Sequence, residues 1–180
     1  VAADGERSLG EDLDGARGVA AREGGLDGGL GEGHHRGLLG LRRALVWYTP
    51  LIRPELYDDP DVLDAIRNRV VSQPKLRLHL VLPPAREWRG DCPRLARLSE
   101  RLTSALLLRT PNRPEIPDRP ELNQAFVIAD ERALLRFSDP RRLIGGYEPE
   151  PGERMKELLE LFRLIWERSR PDADLSRLGI

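Results

Sequence analysis

The chain has 180 residues, 29 of them basic and 30 acidic, for a net charge of −1, and 39% are hydrophobic. This length suits one ordinary domain, and the charge balance lacks the basic excess of a dedicated nucleic-acid-binding protein. No run approaches the roughly 18 apolar residues of a membrane-spanning helix, and no signal segment opens the chain, so we expect a cytoplasmic protein that does not associate with a membrane.

Residues 1–36 differ in composition from the rest of the chain. Twelve of the 17 glycines lie within the first 40 residues, together with eight acidic residues, four arginines and no aromatic residue. A segment with so little to bury cannot offset the entropy lost on ordering. The sequence predicts a flexible, acidic, Gly-rich leader over 1–36 that is disordered, followed by one domain over 37–180. Val1 leaves open whether this leader is native or the edge of a fragment.

From about residue 38 onward, apolar residues recur with the periods of strands and helices. Strands are predicted by short β-branched or alternating runs at 44–49, 76–82, 105–109, 124–129 and 133–137. Helices are predicted by apolar stripes over 62–71, 93–104 and 152–169. The four prolines of 110–120 argue against regular structure there. This order predicts an α/β fold with a mixed β-sheet flanked by helices.

Local signals refine two of these elements. Asp59 or Asp61 is suited to cap the helix over 62–71, with Pro60 near its first turn. Residues 129–132 form a connection short enough for an antiparallel hairpin.

The residue types that carry most enzyme chemistry are scarce in the folded part. His79 is its only histidine, and strand alternation places it opposite the leucines, as expected of a packed or half-exposed sheet residue. Cys92 precedes Pro93 at a helix start, where a thiolate could be stabilised, but without a paired base we expect an inert residue. The pair His34 and His35 lacks further ligands at useful spacing, so no metal site is predicted.

One stretch has the spacing of a known catalytic signature. Residues 123–130 follow H-x-K-x-x-x-x-D with Asn123 for the histidine, Ala125 for the lysine and Asp130 in register. Where the signature continues as G-S-x-N, the chain reads Phe-Ser-Asp-Pro, with Ser138 in register. Together with the element order, these residues make 41–170 resemble the phospholipase D superfamily. More narrowly, the segment is similar to an uncharacterised bacterial family often found behind an acetyltransferase domain.

The resemblance implies a phospholipase-D-like single half whose catalytic positions have changed. In active members the histidine attacks phosphorus, the lysine holds the phosphoryl oxygens, and two motif copies meet at one site. The amide of Asn123 is not a usable nucleophile and Ala125 carries no charge, so many orders of magnitude in rate should be lost. We therefore expect no catalysis, cofactor or metal, and a ligand- or partner-binding regulatory module. Its candidate residual pocket is Asn123, Asp130 and Ser138.

Two other functions remain open. One is a phosphodiesterase or phosphatidyltransferase-like enzyme with a non-standard nucleophile, for which His79 is the available histidine. The other is a weak nucleic-acid or phosphate binder, because 27 of the 29 basic residues are arginine, although the near-neutral charge argues against nucleic acid. The expected protein partners are a second copy of the chain and a protein such as an acetyltransferase domain.

Overall fold

The structure, a computed structural model, describes residues 44–148 and 151–176. The predicted leader, with His34 and His35, lies outside the described residues. The strands are β1 Ala44–Tyr48, β2 Arg77–Val81, β3 Leu106–Pro111, β4 Ala125–Ala129, β5 Ala133–Asp139, β6 Ile144–Glu148 and β7 Ser169–Pro171. The helices are α1 Pro54–Tyr57, α2 Pro60–Ser72, α3 Pro93–Arg101, α4 Gly152–Glu167 and α5 Ala173–Ser176. Short 3₁₀ turns occupy Ala85–Glu87, Arg113–Glu115 and Pro120–Asn123.

The described strands form one mixed sheet in the order β6-β5-β4-β1-β2-β3-β7. The strands β1, β2 and β3 are parallel, and every other pairing is antiparallel. We call the end of the sheet where the three parallel strands finish the carboxyl edge, and the end where they begin the amino edge. The predicted α/β class, with a mixed sheet flanked by helices, is confirmed, and this arrangement is consistent with a phospholipase-D-like single half.

Alternation along the strands divides the core into two layers. Leu45 and Trp47 of β1 pack on the side covered by α2 and α3. Tyr48 lies on the opposite side, together with Phe126 of β4 and Phe162 of α4. Because right-handed crossovers place α2 and α3 on the same face of the sheet, α4 is left to cover the other face.

Helix α2 begins where the capping signal predicts. The carboxylate of Asp59 accepts hydrogen bonds from the backbone N–H groups of Asp61 and Val62 at 2.9 and 3.0 Å, and Pro60 occupies the first helical position. Asp59, rather than Asp61, is therefore the N-cap, because its backbone is still extended while its side chain reaches the first turn.

The structure differs from the sequence prediction at the two sheet edges. Strands β6 and β7 were not predicted. Thr110 and Pro111, assigned to an irregular loop, belong to β3 because they pair with β7. The helix predicted to end at Ser169 stops at Glu167, since Ser169 begins β7. Over the described residues, no helix is both long and apolar enough to cross a membrane.

Candidate functional site

The sheet has a switch point between β1 and β4. From β1 the chain crosses over to β2 on one side, whereas β4 lies on the other side. In open α/β sheets, ligands bind outside the carboxyl ends of the strands at such a point. Tyr48 pairs with Phe126, so the start of β4 lies beside the end of β1 at the carboxyl edge. This is the place where the geometry favours a site.

Two of the sequence-predicted site residues lie at this edge. Asn123 ends the 3₁₀ turn before β4, and its side chain is exposed. Ser138 is exposed near the end of β5, and its hydroxyl donates to the carbonyl oxygen of Ile144 at 3.2 Å. Because Ala125 pairs with Phe137, Ser138 is held at the same end of the sheet as Asn123.

Asp130 lies at the opposite end of β4. It starts the β4–β5 turn with a φ of 53°, and the N–H of Arg132 donates to the carbonyl of Ala129 at 3.0 Å, which closes the predicted hairpin. The Asp130 carboxylate accepts a hydrogen bond from the N–H of Ala44 at 3.0 Å. At about 3.3 Å per residue, the seven positions from Asn123 correspond to roughly 20 Å. The register therefore separates Asp130 from the other two residues, and ligand binding at any of them stays a prediction.

The second motif position, where the resemblance would place a lysine, is inside the core. Ala125 is 1% exposed and packs with the buried residues on the side of α2 and α3. Alanine carries no charge, and this position is enclosed by the sheet and its covering helices. Ala125 therefore offers no charged group to a ligand at the carboxyl edge.

Neighbouring polar groups hold the turn that carries Asn123. The hydroxyl of Tyr48 donates to the carbonyl oxygen of Leu122 at 2.8 Å. Burial raises the pKa of Tyr48 to about 12, although the Arg113 guanidinium opposes that rise. Tyr48 is therefore a neutral hydrogen-bond donor at neutral pH, and it fixes the residue before Asn123.

A shallow groove of about 210 Å³ lies at the carboxyl ends of β1 and β2. The indole of Trp88 forms part of its wall. This side chain is 2% exposed, and its Nε1 donates to the carbonyl of Pro83 at 2.8 Å, which holds the indole in place. A volume of this size is below the roughly 300 Å³ typical of small-molecule pockets, so it suits a small group. The lining residues are Pro50, Leu51, Ile52, Pro54, Pro83, Glu87, Trp88 and Asp91.

His79 is half-buried in the middle of β2, as predicted, on the face opposite Leu78 and Leu80. Its ring meets the edge of Trp166 with centroids 4.9 Å apart, and the guanidinium of Arg109 lies 4.3 Å over the same indole. Burial, and then the positive charge of Arg109, lower the pKa of His79. These contacts are those of a packed sheet residue.

Cys92 is fully buried at the start of α3. Burial raises the pKa of its thiol to about 11, and the carboxylates of Asp58, Asp91 and Glu55 add to that rise. The thiol is therefore neutral at neutral pH, because these effects outweigh any stabilisation by the helix N-terminus. Across residues 44–148 and 151–176, no group of three or more His, Cys, Asp or Glu side chains is arranged to hold a metal ion.

Comparison with known protein families identifies one family. A sequence-family model described as a domain of unknown function, DUF7931, matches residues 38–178. No curated protein matches the chain.

Two solved structures are similar to the chain at low sequence identity. TrmBL2, an archaeal chromatin protein whose structure shows a novel mode of DNA binding, superposes with a TM-score of 0.51 at 12% identity over 89% of this chain and 60% of its own. Phosphatidylserine synthase of Haemophilus influenzae Rd KW20 superposes with a TM-score of 0.44 at 15% identity over 76% of this chain and 35% of its own. The chain thus spans less than two thirds of either protein, and the likeness to TrmBL2 shows the fold alone.

Proposed function

The chain belongs to the DUF7931 family, and we propose that it is a non-catalytic module of phospholipase-D-like architecture that binds a ligand or partner at its carboxyl edge. One observation carries this proposal: the position expected to hold a nucleophile is an exposed asparagine, and the position expected to hold a charged clamp is a buried alanine. An amide at the mouth of the site recognises polar groups, but it does not attack phosphorus.

The other candidate nucleophiles support the same proposal. The Cys92 thiol is buried with a raised pKa. His79 lies in the middle of a strand, against Trp166 and beside Arg109. A nucleophile and its partners must lie within hydrogen-bond reach of one reacting atom. A buried thiol and a histidine packed in the middle of a strand are poorly placed to attack a substrate held at the carboxyl edge.

The carboxyl edge instead offers two neutral hydrogen-bonding side chains, next to loops that are linked by hydrogen bonds. The Asn123 amide and Ser138 hydroxyl are exposed, while Arg53 donates to both the carboxylate of Glu55 and the carbonyl of Arg141. Arg53 thereby ties the segment after β1 to the β5–β6 connection. A few placed polar groups of this kind are what ligand sites use to orient a bound molecule.

Thermal unfolding of the full chain tests this site. Probes are inorganic phosphate, a nucleotide set and water-soluble phospholipid headgroups, because a ligand that binds only the folded state must raise the Tm. We expect a probe to raise the Tm of the native chain, and Asn123→Ala and Ser138→Ala to abolish that rise. Asn68→Ala, an exposed asparagine on α2, is the matched control and should keep it.

Two results would contradict the proposal. The first is a Tm rise that survives both edge substitutions, which would place binding elsewhere. The second is turnover of a phosphodiester that disappears in His79→Gln, which would favour the enzyme with a non-standard nucleophile.

A second copy of the chain and an acetyltransferase domain remain the predicted protein partners. Sedimentation at micromolar concentration tests whether two copies of the chain associate, and a strict monomer would count against the predicted homodimer.

A further inference from the structure

The charges of the folded chain change sign along α2. Residues 55–64 contain five acidic residues and no lysine or arginine, whereas residues 65–81 contain four basic residues and no aspartate or glutamate. Because the chain enters α2 at the carboxyl edge and leaves it at the amino edge, this change in sequence becomes a separation of charge in space. The basic part lies toward the amino edge.

Helix α3 brings further basic residues to the same edge of the sheet. It also ends at the amino edge, where Arg101 occupies its last turn and Arg97 stands one turn earlier. The N–H of Leu78 donates to the carbonyl of Ala105 at 2.8 Å, so the start of β2 lies beside the segment that follows α3. We name Lys75, Arg77, Arg97 and Arg101 the basic edge.

All four side chains of the basic edge are exposed. Within the part of the chain that the structure describes, none of the four forms a salt bridge, and Arg77 donates only to the carbonyls of Pro74 and Leu76, at 2.9 and 2.8 Å. Three other arginines in or near α2 and α3 do form salt bridges. These pairs are Arg94 with Asp58, Arg67 with Asp64 and Arg89 with Glu100.

Helix dipoles explain only part of this charge. A cation in the last turn stabilises a helix C-terminus, which accounts for Arg69 in α2 and Arg101 in α3. Lys75 and Arg77 come after α2 has ended, and Arg97 lies before the last turn of α3. We propose that the basic edge binds the sugar–phosphate backbone of a nucleic acid.

The other groups of this surface fit a phosphate backbone. Thr103 and Ser104 are exposed next to Arg101, and hydroxyls join arginine and lysine as the usual phosphate contacts. Arg97 and Arg101 are about 6 Å apart along the helix axis, close to two phosphate steps of about 3.4 Å on one strand. With no aromatic residue among the four, contact is electrostatic and independent of sequence. The surface is at the opposite end of the sheet from Asn123, so it does not rest on the proposed function.

Fluorescence anisotropy of a labelled DNA duplex of about 20 base pairs, titrated with the full chain at about 20 to 200 mM salt, tests the proposal. Four phosphate contacts predict a slope of about −3.6 for log K against log salt, which is roughly a hundredfold weakening between about 50 and 200 mM. Arg97→Glu with Arg101→Glu should reduce affinity by at least about tenfold. Arg119→Glu with Arg163→Glu changes net charge equally at exposed arginines elsewhere and should leave affinity nearly unchanged.

Several results would overturn this assignment. They are absence of binding at the lowest salt, an equal loss in both double variants, and binding to phosphatidylglycerol vesicles without binding to the duplex. Lys75→Gln with Arg77→Gln provides a second test outside the helices, in case charge reversal disturbs α3. This variant should flatten the salt slope toward about −1.8, because two contacts are removed. A slope that stays at the native value would also overturn the proposal.

Discussion

At the scale of single residues, packing decides how His79 ionises. The ring meets Trp166 at its edge, and the Arg109 guanidinium stacks over the same indole. Burial disfavours the charged imidazolium, and the neighbouring positive charge disfavours it further, so the pKa of His79 is lowered. The histidine therefore contributes to the fold as a neutral ring.

We expect acid to weaken the fold through this histidine. In the unfolded chain His79 takes up a proton near its ordinary pKa of about 6.5, while the folded protein resists protonation until lower pH. The unfolded state then binds more protons, so the free energy of unfolding falls as the pH drops below about 6.5. Urea unfolding between about pH 7.5 and 5 measures this fall, and His79→Gln should lessen it. Parallel curves for the two proteins would contradict the prediction.

At the scale of elements, the β5–β6 hairpin depends on one of its two adjacent glycines. Gly145 pairs with Phe137 where the register shifts, and a Cβ at Gly145 would collide with the carbonyl oxygen of Arg136. A Cβ at Gly146 would meet no atom within 4 Å. The close approach of the two strands thus requires a glycine at the first position and not at the second.

Alanine at these positions gives a matched pair of variants. Gly145→Ala should lower the free energy of unfolding by about 1–3 kcal/mol, because backbone must move to relieve the collision. Gly146→Ala should be within about 0.5 kcal/mol of the native protein, since its methyl group enters open space. Urea unfolding compares the two, and similar effects would show that this approach is not what constrains β6.

At the scale of the whole molecule, Asp172 fastens the end of the described chain to the sheet. It is 7% exposed, and one carboxylate oxygen accepts from the Ala85 N–H at 2.8 Å and the Thr110 hydroxyl at 2.7 Å. The other oxygen accepts from the N–H of Asp174 at 2.8 Å. A single buried carboxylate therefore joins the loop after β2, strand β3 and helix α5.

Removing this carboxylate should destabilise the whole fold. Asp172→Ala leaves the buried N–H of Ala85 without its acceptor, and we expect a loss of about 3 kcal/mol in the free energy of unfolding. Asp118→Ala removes a carboxylate from an exposed loop residue and should change stability little. If the two variants unfold at the same urea concentration, Asp172 does not fasten the chain end as described.

The elements that were predicted correctly have strong local patterns, and those that were missed do not. Strand β2 alternates leucines with His79 and Val81, which indicates a strand without knowledge of its neighbours. Strand β7 has three residues and ends in a proline, and β6 contains two adjacent glycines. Both form because β3 and β5 offer an open edge for pairing, which a local pattern does not reveal.

The same limit applies to the candidate site. Motif spacing correctly placed Asn123 beside a strand and Asp130 in a hairpin turn, because turn chemistry is local. It also grouped Ser138 with both residues, although their positions across the sheet follow from pairing between distant segments. The basic edge was missed for that reason, since its residues come from the loop after α2, the start of β2 and α3.

The amino-acid sequence by itself determined the strands β1 to β5, the three longer helices and which residues occupy the two motif positions. Those properties follow from periodicity, capping and turn chemistry over a few neighbouring residues. Only the tertiary structure decided that Asn123 and Ser138 lie at the same end of the sheet and that the Asp130 carboxylate accepts a hydrogen bond at the start of β1. It also decided that four exposed cations, which form no salt bridge with the described residues, lie at the amino edge. The physical reason is that strand order, register and helix placement depend on contacts between segments far apart in the chain.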